Sequence, residues 1–154
     1  MAFLIDTQYA DSHPIPFSEQ DLLLWVTTAL EPFKKNAELT LRFVDNDEMS
    51  ELNSTYRQKQ GPTNVLSFPS DIPEDIAVEM DEPFLGDIII SQAVLLQESE
   101  TLGIPLKAHW AHIIIHGVLH LLGYDHMEEH EEAEMQAIEI QLLNNIGYEN
   151  PYLS

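Results

Sequence analysis

The residues with the clearest capacity for chemistry in this sequence are His116, His120 and His126, spaced His-x3-His-x5-His. Two histidines four apart on a helix share one face about a turn from each other. Imidazoles so placed can converge on one cation, with Zn–N distances of about 2.0–2.1 Å. If the helix simply continued, His126 would lie roughly 9 Å further along its axis. Gly123, between the second and third histidines, is where a left-handed C-cap would let the chain turn back. Three protein ligands leave a position open for water or substrate, which marks a catalytic zinc site rather than a structural one.

A histidine pair at this spacing is common by chance, so its rivals have to be weighed. His112 lies four before His116 and is an alternative ligand or a group behind the ligands. His130 lies four after His126 among glutamates and reads as part of a solvated face, while His109, near a helix start, reads as packed or solvated. What separates 116/120/126 from these is the placed glycine and the apolar setting from Ile113 to Leu122. The helical zinc-protease motif places its glutamate base directly after the first histidine, and here that position is Gly117. Peptide hydrolysis by that route is disfavoured, although metal-activated water remains available, with Asp125 or the substrate as base.

Composition narrows the chemistry further. The chain has 154 residues and no cysteine, enough for one domain (1–154) with a real core. A metal must therefore be held by nitrogen and oxygen. No segment is long and apolar enough to span a membrane, and Met1 to Pro14 lacks the pattern of a signal peptide. A cytoplasmic protein with no membrane partner is expected. The formal net charge is -21, from 27 acidic against 6 basic residues, which repels nucleic acid at long range. Two segments, Pro69 to Pro83 and Met127 to Glu134, carry many of the acids, yet the excess survives without them. Any nucleic-acid site must rely on a local basic patch clear of both segments, on the metal, or on a partner.

The elements that would position the histidines follow from periodicity. Phe3 to Ile5, Glu38 to Val44, Asn64 to Phe68 and Gly86 to Ser91 read as strands, the last buried on both faces through Ile88, Ile89 and Ile90. Ser18 to Phe33 reads as an amphipathic helix capped by Ser18, with Leu22, Trp25, Val26, Ala29, Leu30 and Phe33 on one face. Asp45 or Asn46 caps a helix to about Tyr56, and Ser91 caps one ending at Gly103. The histidine helix runs from Pro105 to Leu122, and a last helix from about Met127 to Ile146 has Met135, Ile138, Leu142 and Ile146 on one face. The expected fold is α+β, a mixed sheet of about four strands with helices packed on it.

The segment from His116 to His126, H-G-x-L-H-L-L-G-Y-D-H, resembles the YbeY family of bacterial single-strand endoribonucleases, the rRNA maturation factors. Leu52-Asn53, Tyr56-Arg57 and Pro62 to Pro69 resemble its second signature, Leu85 to Ser91 its third, and Gly147-Tyr148 is also typical. The resemblance implies an α+β fold, one divalent metal, assigned as zinc, on His116, His120 and His126, and single-stranded RNA as substrate. It further implies that Arg57 lies by the metal cleft and is needed for activity. Position 64 is commonly Asp or Asn in the family, so Asn64 is no departure.

Elementary chemistry supports part of this, because a guanidinium and a metal both stabilise the charged phosphorus of phosphodiester cleavage. The competing reading of Arg57 is a cap on the preceding helix C-terminus. Three functions stay open: an rRNA 3′-end endoribonuclease serving ribosome quality control, a metal-dependent hydrolase of another substrate, and a non-catalytic ribosome-assembly factor whose acidic face binds basic ribosomal proteins.

Overall fold

The fold is described by a computed structural model for residues 2–70, 72–73, 76, 83–124 and 129–152. Four strands, β1 (Ala2–Tyr9), β2 (Asn36–Val44), β3 (Val65–Pro69) and β4 (Phe84–Ser91), form one mixed sheet in the order β1-β2-β4-β3. β2 runs parallel to both β1 and β4, and β3 closes the row antiparallel to β4, pairing Val65 with Ile90 and Pro69 with Gly86. The expected α+β fold and four-stranded mixed sheet are as found. β1 is longer than the apolar triplet Phe3 to Ile5 indicated, because β2 pairs with it along its whole length.

Among the described residues five helices accompany the sheet, α1 (Glu19–Leu30), α2 (Asn46–Arg57), α3 (Gln92–Leu102), α4 (Leu106–Leu121) and α5 (Glu129–Asn145), and the first three start where the sequence offers a capping oxygen. The Ser18, Asp45 and Ser91 side chains accept from the backbone N–H of Asp21, Glu48 and Val94. Each such cap stabilises its helix by roughly 1 kcal/mol. One difference from the sequence reading lies at the end of α1. The helix stops at Leu30, so Phe33 leaves the buried face, is 38% exposed and rests edge-on against Tyr124.

The two faces of the sheet bury different cores. Leu39, Leu41 and Phe43 of β2 with Ile88 and Ile90 of β4 face α1, α4 and α5. Val44, Leu66 and Ile89 point to the other face, where Met49 of α2 covers them. α4 is the central helix, in contact with α1, α3, α5, β3 and β4. Trp110 anchors it, stacked on Phe43 and meeting Phe17 edge-on, and Phe17 in turn meets Trp25 of α1. Such ring pairs contribute about 0.5–1.5 kcal/mol each beyond their buried area. With α4 held on nearly every side, the row His112, His116, His120 at four-residue spacing is its polar stripe.

Gly117 sets how closely α4 lies on the sheet. A Cβ there would sit 3.1 Å from Ile88 Cγ2 and 3.4 Å from both Ser67 Oγ and Val65 Cγ2. The Ser67 hydroxyl also donates to the Gly117 carbonyl at 3.0 Å, tying the helix to β3. The position that would carry the catalytic glutamate of a helical zinc protease is thus packed against strands.

Candidate functional site

The cleft beside the histidine stripe is bounded by the C-terminal end of α2, the edge strand β3 and the C-terminal end of α4. It has a volume of about 580 Å³ and is lined by Tyr56, Arg57, Thr63, Asn64, Val65 to Pro69, His116, His120, Gly123 and Tyr124. Among the described residues no carboxylate lines it. Arg57, His116 and His120, distant in sequence, therefore line one cleft. His126 and Asp125 lie outside the described residues, as does much of the acidic segment Pro69 to Pro83.

His116 and His120 point their Nε2 atoms at each other, 3.0 Å apart. Two nitrogens on a tetrahedral zinc at about 2.0–2.1 Å would be separated by roughly 3.3 Å, so the pair fits a shared cation with little adjustment. The opposite side of the His116 ring is fixed as well. Its Nδ1 lies 2.9 Å from Glu139 Oε1, and donation of that proton leaves Nε2 as the lone-pair atom on the cleft side.

Glu139 is fully buried. His112 Nε2 approaches its Oε1 at 3.1 Å, and the Tyr152 hydroxyl donates to its two oxygens at 2.8 and 2.7 Å. Burial alone would raise this carboxyl, but hydrogen bonds from His112 and His116, with their charge, hold it down at about 2. Burial and the neighbouring Glu139 carboxylate push the Tyr152 hydroxyl up, so it stays a donor. His112, His116 and Glu139 also bring three ligand atoms within 4.8 Å of one another, a group that could hold a metal ion.

The chain turns out of α4 as the glycine indicated. Gly123 has φ +103, its N–H bonds to the His120 carbonyl, and Tyr124 N–H bonds to the Leu119 carbonyl, both at 3.1 Å. This pair of bonds is a Schellman C-cap, and it sends the backbone away from the helix axis one turn after His120. At the other wall, α2 ends when Gln58 adopts φ 56, a left-handed conformation that costs a non-glycine residue about 1–2 kcal/mol. Arg57 is thereby the last helical residue, beside the negative end of the α2 dipole and on the cleft wall together.

Of the other histidines, His109 is buried with Nε2 2.9 Å from Glu98, whose carboxylate also accepts from Asn64 Nδ2 at 3.2 and 3.3 Å. It belongs to a polar chain that ends at the cleft residue Asn64. His130 is exposed. The sequence reading overlooked Glu139 and Tyr152. The available signal was a carboxylate four residues after Met135 and three before Leu142, on the apolar stripe of α5 rather than its polar face.

Comparison with known proteins agrees with this layout. The family model described as Endoribonuclease YbeY matches residues 8–147. Proteins named Endoribonuclease YbeY from Legionella pneumophila strains Corby, Lens and Paris are each 49% identical over 99% of this chain and 95% of their own length. The solution structure of TM1509 from Thermotoga maritima shares the fold, with a TM-score of 0.57 at 19% identity, covering 98% of this chain and 100% of that one. The chain belongs to the endoribonuclease YbeY family.

Proposed function

We propose that the chain is a one-domain, metal-dependent endoribonuclease that cuts single-stranded RNA, with precursor rRNA as substrate in 3′-end maturation and ribosome quality control. Its partners in this reading are the ribosome or ribosomal proteins of the cytoplasm. Zinc is held by His116, His120 and His126, and Arg57 is the catalytic cation. The observation that carries the reading is the convergence of two imidazole Nε2 atoms, 3.0 Å apart, in a cleft shared with Arg57 and without a described carboxylate.

A divalent cation bound there would lower the pKa of water towards neutrality or polarise a phosphoryl oxygen. The protein's own groups do the rest. Glu139 accepts a hydrogen bond from the His116 Nδ1–H and holds the ring so that Nε2 faces the cleft. His112 and Tyr152 complete the carboxylate's hydrogen bonds, so a buried charge is not left unpaired. This arrangement favours Glu139 as the group orienting a ligand over the alternative in which it binds the metal itself. Arg57 donates to non-bridging phosphate oxygens, and its planar fork suits them better than an ammonium. The attacking oxygen is a water or the RNA 2′-hydroxyl, and a 2′,3′-cyclic phosphate end on the product would assign it to the hydroxyl.

The net charge of -21 favours a second reading, an assembly factor that docks on basic ribosomal proteins, either beside the first activity or in place of it. A hydrolase of peptide or ester is disfavoured by Gly117, whose side of α4 faces the sheet. The deciding experiment is cleavage of a labelled single-stranded RNA by wild type, His120→Ala and Arg57→Ala, each checked for metal content and folding. The nuclease reading expects both variants to fail, Arg57→Ala while still metal-loaded. Equal cleavage by all three means a contaminating nuclease and leaves the assembly-factor reading.

A further inference from the structure

The cleft has little positive charge with which to hold an RNA. Of the six Lys and Arg residues, only Arg57 lines it among the described residues. Arg42 is engaged by Glu48 and Gln8, and Lys107 lies 3.6 Å from Asp21, both away from the cleft. Single strands have a second means of attachment, the stacking of bases on aromatic rings, which tolerates any sequence and needs no charge.

The cleft offers that means at one place. Tyr56, in the last turn of α2, is 64% exposed although it lines the cleft. It meets Phe68 of β3 edge-to-face, with ring centroids 5.2 Å apart and planes at 69°. Phe68 itself packs on the second core with Val44, Met49, Leu66 and Ile89, so its position is fixed from beneath. Gly86 fixes it along the strand, since any Cβ there would meet the Phe68 carbonyl oxygen. A tyrosine serving only the core would be buried. Tyr56 instead rests on a neighbour packed against the second core and is itself mostly exposed, directly before Arg57 in the chain.

We infer that the Tyr56–Phe68 pair is a nucleobase subsite, where one base of a single-stranded RNA stacks on Tyr56 while Arg57 meets an adjoining phosphate. The inference rests on the nuclease reading above and gives that reading its basis for strand selection. A base can reach the ring only when it is out of a duplex stack. It also accounts for RNA binding by an acidic protein, because the stacking contribution is not weakened by the protein's own negative charge.

The test uses a labelled single-stranded RNA and the same oligonucleotide with abasic nucleotides flanking its cleavage point. Binding is read by fluorescence anisotropy on ice and cleavage by product analysis, for wild type, Tyr56→Ala and Tyr56→Phe, with circular dichroism as the check on folding. Tyr56→Ala should weaken binding and raise KM on the order of 5- to 100-fold, and Tyr56→Phe should restore both. The abasic RNA should show a similar loss with wild type and little further loss with Tyr56→Ala, because both changes remove one contact. Unchanged binding by Tyr56→Ala, or a full abasic penalty in that variant, overturns the subsite while leaving the nuclease standing. Tyr56-dependent binding without cleavage overturns the nuclease reading alone, and absence of binding by wild type overturns both.

Discussion

The His116 imidazole is held between two partners, with Nδ1 2.9 Å from the buried carboxylate of Glu139 and Nε2 3.0 Å from Nε2 of His120. Because one ring nitrogen is occupied by an ionised acceptor, the other is the atom left to face a cation. The relation makes Glu139 a positioning residue for the proposed metal. Glu139→Gln keeps the shape and removes the charge, leaving one oxygen for His112, His116 and Tyr152 to share. Metal affinity should fall about 10–100-fold, read by competition with a chelator, with the fold retained by circular dichroism. Unaltered affinity would move the metal away from His116.

Gly117 should tolerate little. In Gly117→Ala the added methyl meets Ile88 Cγ2 at 3.1 Å, while the helix gains propensity. Overpacking of about 1–3 kcal/mol set against roughly 1 kcal/mol of propensity gives a net loss of about 0–2 kcal/mol in urea unfolding. Gly117→Glu would force a carboxylate toward β3 and β4 and should cost more than the alanine, without conferring peptide hydrolysis. A stable Gly117→Glu protein with peptidase activity would refute the packing argument.

Arg57 is exposed, and its side chain is not part of either core, so Arg57→Ala should lose no more stability to denaturant than the roughly 0.3–1 kcal/mol that a cation contributes at a helix C-terminus. Cleavage should nonetheless fall by about 10²–10³ in kcat, the loss typical of removing one preorganised donor to a developing charge. Arg57→Lys should recover only part of it, since a point charge lacks the guanidinium fork. Full activity in Arg57→Lys would reduce the residue's role to general electrostatics.

Gly86 couples the sheet to the cleft. Its φ is +142, and a Cβ would lie 2.2 Å from the Phe68 carbonyl oxygen and 3.0 Å from Pro69 Cα. Gly86→Ala must therefore displace β3, the strand that carries Phe68 and Ser67. A loss of about 2 kcal/mol or more, or roughly 4–8 °C in Tm for a chain of this size, is expected in thermal unfolding. RNA binding should weaken as the cleft wall moves. An unshifted Tm would mean that β3 accommodates the change at no cost.

Much of this molecule is decided locally. The alternation of Leu39, Leu41 and Phe43, the continuous Ile88 to Ile90, the capping oxygens of Ser18, Asp45 and Ser91, and the four-residue spacing of His116 and His120 each act over a turn or a strand pair. Such patterns are legible because the neighbours concerned are neighbours in sequence. Gly123 belongs with them, since a left-handed C-cap needs only the backbone freedom of one residue. What tertiary structure alone decided is which distant groups stand behind and across from the histidines. Glu139 lies 23 residues from His116, in a glutamate-rich helix whose acids otherwise read as a solvated face. Packing of α5 on α4 turns this one carboxylate inward and makes it the acceptor for His112, His116 and Tyr152. The cleft has the same origin. β3 lies at the sheet edge because β4 inserts between it and β2, and only that order brings Tyr56, Arg57 and Phe68 to the wall facing His116 and His120.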